Sequence, residues 1–412
     1  MKRRLCLSML FILLCVSSIN ASHAQTSNRV VIGTIDSMYS RVLKEYRKIW
    51  IYVPAMTNGG IYAPHRYPVV YLLDGDGHFS SVVGMIQQLS QVNGNTVSPE
   101  MMVVGIPNTD RTRDLTPTHV KTAAVDTTSG GGEKFTSFLE QELIPHIDSL
   151  YQTSPYRVFI GHSFGGLLAV NTLIHHANLF SSYVAIDPSL WWDHQKLLNE
   201  ANALLTKSRF DNKSLFLAIA NTMRQNPDTM QVRKDTSNAT EHIRSILSFG
   251  DALKRNPENG LRWMMKYYAE DDHASVPLIA EYDALHFLFS ELKIPQSLLA
   301  KLSDSTFNAE SAIVAHFKNV SKQMGYEIIP PEAQINSLGY TLLGNKLFSK
   351  ARLFFELNIR NYPNSLNVYD SMGDYYVAVG EKQKAIECFT KAYAVNKWEA
   401  TKKKLEDLKA AK

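Results

Sequence analysis

The sequence predicts a mostly parallel α/β sheet with helices on both faces, followed by a smaller all-helical region. Three observations carry this. Short, continuous apolar runs recur through the first two-thirds of the chain, as strands covered on both faces require. Amphipathic stretches separate them, and strands alternating with helices imply a parallel sheet. Beyond Ile294 the strand signals stop and a helical pattern begins to repeat.

The N-terminus comes first. Lys2, Arg3 and Arg4 precede an apolar run from Leu5 to Ile19 and then Ala21-Ser22-His23-Ala24, the three regions of a cleavable export signal. Residues 1–24 are therefore expected to leave, with the mature chain starting at Gln25 in the periplasm or outside the cell. The apolar run is shorter than the roughly 20 residues that span a bilayer. Leu14, not a small residue, precedes Cys15, which disfavours a lipid anchor. Cys6 and Cys15 depart with the signal and leave Cys388 alone, so the exported protein has no internal disulfide and depends on core burial. The 412-residue chain is 45% hydrophobic and 20% charged with a formal net charge of +4, an ordinary globular balance. It contains no basic block, and nucleic acid is not an expected partner.

Strands are expected at Val30–Gly33, Lys48–Pro54, Pro68–Leu73, Met101–Ile106, Tyr156–Ile160, Tyr183–Ile186, Leu215–Ala220 and Leu261–Ala269. Between them, Phe138, Leu139, Leu143, Ile144 and Ile147 return at helical spacing within Phe135–Tyr151. This sheet domain is expected over residues 25–293, and a helical linker over 294–326. In the remaining region, 327–412, Gly339, Ala351 and Phe355 recur as Gly373, Ala385 and Phe389, an offset of 34 residues. That is the tetratricopeptide period, and Pro363 falls where such a repeat ends its second helix. Two units fall short of the roughly three that a free-standing array needs, a shortfall that packing on the sheet domain resolves.

Gly161-His162-Ser163-Phe164-Gly165-Gly166 stands between the strand Tyr156–Ile160 and a helix-like run, the context of a nucleophile elbow. Small flanking residues permit the strained turn that lifts Ser163 clear, and the helix that follows turns its free N–H groups toward an oxyanion. The alternative is a turn with no chemistry. A serine hydroxyl needs a base, and the chain order of this architecture places acid and histidine downstream. His242 and His286 fall in expected helices and His316 lies past the sheet, which leaves His273 in the loop after the last strand. For the acid, Asp235 is chosen, with Glu241 as the alternative; Asp235 also reads as a plain helix cap. Phe164 supplies one oxyanion N–H, and the loop Asp74-Gly75-Asp76-Gly77-His78 a second, assigned to Asp76 with Gly75 as its neighbour. His78, Arg111, Arg113, Trp191 and Trp192 occupy loops at the same strand ends and are substrate-binding candidates. Core packing of the tryptophans and pairing of the arginines with Asp114 compete with that role. No metal or cofactor is called for.

Four blocks in order, Tyr67–Gly75, Arg111–Pro117, Gly161–Gly166 and His273–Pro277, together resemble the esterase family of α/β-hydrolases. This family takes in siderophore esterases, S-formylglutathione hydrolase, feruloyl and acetylxylan esterases and the mycolyltransferases. The likeness covers about residues 29–292. It implies Ser163 as nucleophile, His273 as base, backbone donors near Asp76 and Phe164, and cofactor-free hydrolysis of a small-molecule or carbohydrate ester through an acyl-enzyme. The chain departs from the family at the acid, since no clear glutamate block follows Asn221. Acyl transfer to another acceptor is a second reading. A third is a non-catalytic assembly protein that takes a protein or peptide partner through its repeats.

Overall fold

The structure is a computed structural model and describes residues 29–54, 61–63, 66–121, 128–223, 228–304 and 306–410. The leader expected over residues 1–24 lies outside them. An eight-stranded sheet forms the centre, built from β1 (Thr34–Ser40), β2 (Glu45–Tyr52), β3 (Tyr67–Leu73), β4 (Met102–Ile106), β5 (Thr153–His162), β6 (Ser182–Ile186), β7 (Ser214–Ala220) and β8 (Arg262–Tyr268). Their order is β1-β2-β4-β3-β5-β6-β7-β8. The pairs β1–β2 and β2–β4 are antiparallel, and every pair from β4–β3 onward is parallel.

The first strand differs from expectation. It is Thr34–Ser40, not Val30–Gly33, and pairs residue for residue with β2 across a tight turn in which Lys44 takes φ 59°. Because β1 is an edge strand with exposed residues, Ile35 among them, it shows none of the continuous apolar signature of the inner strands. The helical stretch after Gly132 runs as Gly132–Phe138 and Ile144–Leu150 joined by a single wide turn at Leu139–Leu143, just before Pro145 removes a backbone donor.

Side chains alternate across the inner strands and build two cores. Tyr71, Phe159 and Leu217 face the helices Phe164–His175, Trp192–Lys207 and Glu241–Arg255. Val70, Ile160 and Phe216 face the helices Gly75–Ser90 and Val276–Leu288. Burying each such side chain contributes about 1.5–3 kcal/mol, and no disulfide adds to it among the described residues, where Cys388 is a free thiol.

The second core continues into the C-terminal helices. Val320 and Met324 of the helix Ala309–Met324 pack in it, and the Tyr326 ring lies 5.7 Å from that of Tyr156. Helices Glu332–Gly344, Phe348–Asn361, Leu366–Ala378, Lys382–Val395 and Glu399–Ala410 follow. The first four make two hairpins with one shared device. A methyl group on Gly339 would lie 2.6 Å from Phe355, and one on Gly373 would lie 2.5 Å from Phe389. Buried Glu332 ties the hairpins to the loop before β3, accepting from Ala63 N at 3.1 Å, Ser365 Oγ at 2.6 Å and Asn367 Nδ2 at 3.0 Å.

Candidate active site

Because β5, β6, β7 and β8 are parallel, their carboxyl ends share one edge of the sheet. His162 is in register with Ile186, and Ile186 with Ala218, so Ser163 and Asp187 leave the sheet side by side. Ser163 is held at φ 60°, ψ −115°, a conformation that costs of order 1–3 kcal/mol and persists because its surroundings over-determine it. Its N–H donates to Ile186 O at 3.0 Å, and its carbonyl accepts from Leu167 N and Ser189 N. A methyl group on Gly161 would lie 2.2 Å from the Gly165 carbonyl oxygen, and one on Gly166 would lie 3.0 Å from Pro188. Those clearances explain why small residues flank the serine. Ser163 Oγ lies 3.4 Å from Ser189 Oγ.

His273 stands between β8 and the helix Val276–Leu288, and its Nδ1 donates to Asp187 Oδ2 at 2.6 Å. That tautomer leaves Nε2 free to accept a proton. Its ring lies 4.5 Å from the ring of His162, the residue next to Ser163. Asp187 is fully buried; Oδ1 accepts from Ala220 N at 2.9 Å, and Oδ2 accepts a second imidazole, His242 Nε2, at 2.8 Å. Burial alone would raise its pKa, but the hydrogen bonds from His242 and His273 outweigh that and hold the carboxyl well below the usual range. Burial, then the nearby His273 and His78, push His162 down to about 4.

The carboxylate against His273 is thus Asp187, and Asp235 is a correction to the sequence reading. Asp235 is an exposed local cap that accepts from Ser237 N, Ser237 Oγ and Thr240 Oγ1 at 2.8–2.9 Å. The alternative, Glu241, accepts from Gln195 Nε2 at 3.3 Å. The acid follows β6 rather than β7, one strand closer to the serine. His242, set aside because it falls in a helix, occupies the first turn of Glu241–Arg255 and points back to Asp187. An aspartate ending the apolar run Tyr183–Ile186 was the available signal for Asp187; nothing in the sequence marks His242.

Two helix starts face this edge. Phe164 begins the helix after Ser163, and Gly75 and Asp76 begin the helix after Asp74 (φ 50°). First-turn N–H groups have no acceptor within their own helix, so these are the donors available to an oxyanion. Gly75 is required here, as its Cβ would meet Ile106 N at 2.6 Å. The Asp76 carboxylate accepts from Asn108 N at 3.3 Å.

The other candidates are largely committed. Arg111 makes a two-pronged pair with Asp74 at 2.6 and 3.0 Å, donates to His162 O at 3.1 Å, and lies 5.6 Å from the Phe164 ring. Arg113 pairs with Asp114 at 2.7 Å and Glu45 at 2.6 Å, not with an open pocket. His78 Nδ1 meets the buried Glu281 at 3.0 Å. Trp192 is only 2% exposed and donates to Thr118, so it cannot stack on a ligand. Trp191 is half-buried, with its ring 6.3 Å from that of Phe164. Residues Asp193, His194 and Gln195, which carry this loop into its helix, all have φ between 50° and 62°.

The family model described as Putative esterase matches residues 40–247. The ferri-bacillibactin esterase of Bacillus subtilis is 24% identical over 54% of this chain and 79% of its own. The siderophore enterobactin esterase of Emericella nidulans is 23% identical over 50% of this chain and 77% of its own. Among solved structures, an IroE-like serine hydrolase of Shewanella oneidensis is 31% identical, covers 80% of this chain and 99% of its own, and superposes with a TM-score of 0.68. The edge that gathers Ser163, His273 and Asp187 belongs to an α/β-hydrolase sheet, and the chain is a member of the esterase family of carboxylic ester hydrolases.

Proposed function

We propose that this protein is an exported serine esterase that cleaves a carboxylic ester through an acyl-enzyme on Ser163. The 2.6 Å hydrogen bond from His273 Nδ1 to buried Asp187, beside a serine held on a strained turn, carries the reading. Ser163 Oγ attacks the ester carbonyl while His273 Nε2 takes its proton. The imidazolium, stabilised by Asp187, then protonates the leaving alkoxide. Water, activated by the same nitrogen, releases the acid and restores the serine. The N–H groups of Phe164 and Asp76, with Gly75 adjoining, stabilise the oxyanion in both steps.

The substrate class is a siderophore-type ester. Supporting it are the matched esterases of ferri-bacillibactin and enterobactin, and the aromatic rings of Phe164, next to the nucleophile, and half-buried Trp191, suited to a flat aromatic portion of the substrate. The N-terminal pattern supports export. The shared Gly–Phe contact of the two hairpins supports reading residues 327–412 as tetratricopeptide-like repeats.

Incubation of the full mature chain with a fluorophosphonate and with p-nitrophenyl acetate tests this. The parent is expected to label at Ser163 and turn over, with Ser163→Ala and His273→Ala reduced by about 10³–10⁶-fold. Turnover that survives Ser163→Ala would sink the nucleophile.

A further inference from the structure

Acyl transfer as described uses one imidazole on Asp187, yet the structure puts two there. His242 Nε2 and His273 Nδ1 converge on the same carboxylate oxygen at 2.8 and 2.6 Å, and all three ligand-type atoms lie within 4.8 Å of one another. His242 has no step to perform in the acyl cycle. We infer that Asp187, His242 and His273 form a binding site for one divalent zinc ion whose occupancy shuts the esterase off; the shut-off half of this inference rests on the esterase reading above.

The donor set is the argument. Two imidazoles and one carboxylate with an open fourth position are what Zn²⁺ takes in sites that keep a water ligand. Tetrahedral bonds of about 2.0–2.2 Å place ligand atoms roughly 3.3 Å apart. The 2.6 and 2.8 Å separations therefore have to widen by about 0.7 and 0.5 Å, and the two imidazole nitrogens, within 4.8 Å of each other, have to settle near the same spacing. The three residues come from three separate positions: the end of β6, the first turn of the helix Glu241–Arg255, and the loop after β8. Asp187 accepts a third bond from Ala220 N at 2.9 Å through its other oxygen, so its orientation is fixed from behind. His273 is the most exposed of the three, its side chain 41% exposed against 20% for His242 and 0% for Asp187.

Metal binding and catalysis compete for the same atoms. With zinc on Nδ1, neutral His273 carries its proton on Nε2, and that nitrogen can no longer accept from Ser163 Oγ. No net proton is gained or lost by His273; its tautomer changes. Asp187, drawn to the metal, also ceases to stabilise an imidazolium. Occupancy thus converts the base into a ligand.

Zinc chloride titrated into full-length Ser163→Ala by calorimetry reads the site without turnover. One ion per chain is expected, weakened at least 10-fold in Ser163→Ala/His242→Gln, where the glutamine still donates an N–H to Asp187 but offers no imidazole. In the parent, p-nitrophenyl acetate hydrolysis is expected to fall in step with occupancy and to return on addition of EDTA. Absence of stoichiometric binding, equal affinity with and without His242, or full activity of the zinc-loaded parent would each overturn the inference. His242-dependent binding by a parent that never hydrolyses esters would uphold the metal site and remove the esterase reading instead.

Discussion

Asp187 and Asp235 show how far single residues can be read. Asp187 directly follows β6, whereas Asp235 lies past the short helix Thr229–Val232, and only Asp187 reaches His273. Asp235 is closed on Ser237 and Thr240 within its own turn. Replacement of Asp187 by asparagine, which upsets the His273 tautomer, is expected to lower kcat by about 10⁴-fold, whereas Asp235→Asn should leave kcat/KM within about twofold of the parent, in keeping with the small effects of surface changes; steady-state kinetics on a p-nitrophenyl ester separates the two. His162 provides a pH test. Its folded pKa of about 4 lies below the ordinary 6.5, so between these values the unfolded chain binds more protons than the native one. Stability is therefore lost as pH falls from about 6.5 to 4, by roughly 3 kcal/mol at 1.36 kcal/mol per pH unit. Urea unfolding of the parent should show this loss and His162→Gln should not; parallel pH profiles would refute it. Ser163 and His273 could be picked from the sequence because one carries a motif and the other is the downstream histidine in a strand-end loop. Asp187 is marked in the sequence only by its place at the end of an apolar run, because its link to His273 spans 86 residues and depends on strand order.

Among the elements, inner strands were legible because covering on both faces forces continuous apolar runs. The edge strand β1 was not, since an exposed hairpin strand shows no such run. The C-terminal repeat was visible as Gly339/Phe355 and Gly373/Phe389, and its physical cause is an aromatic ring laid on a bare backbone in each hairpin. Gly339→Ala and Gly373→Ala are each expected to cost about 1–3 kcal/mol by overpacking. Chemical denaturation of each single variant checks this, and a change below 0.5 kcal/mol, the ordinary surface effect, would remove the claim. At the elbow the obstacle to a methyl on Gly161 is backbone, the Gly165 carbonyl at 2.2 Å, so relief there would require the turn itself to move.

At the scale of the molecule, the C-terminal helices are an extension of the sheet domain's core. Val320, Met324 and Tyr326 pack against it, and Glu332 joins the loop before β3 to the second hairpin. Glu332→Ala strands several buried partners and is expected to cost about 1–3 kcal/mol per unsatisfied group, read as a lower midpoint in urea with the elbow chemistry intact. A chain truncated after Lys293 should be poorly soluble, having uncovered Tyr156 and Phe289, and a well-folded truncate would show that the helices are separable. The hairpins share their core with Ile313 and Phe317 of the helix Ala309–Met324, whose other face enters the sheet domain's core through Val320 and Met324. Whether Ser163 at the end of β5 forms an acyl-enzyme is read by intact-mass spectrometry of the full chain quenched during p-nitrophenyl acetate turnover. One acetyl group per chain is expected, mapped to the peptide containing Ser163 and absent from Ser163→Ala; undiminished turnover with no acetylated species, or an acetyl group on another residue, would rule out Ser163 as the nucleophile.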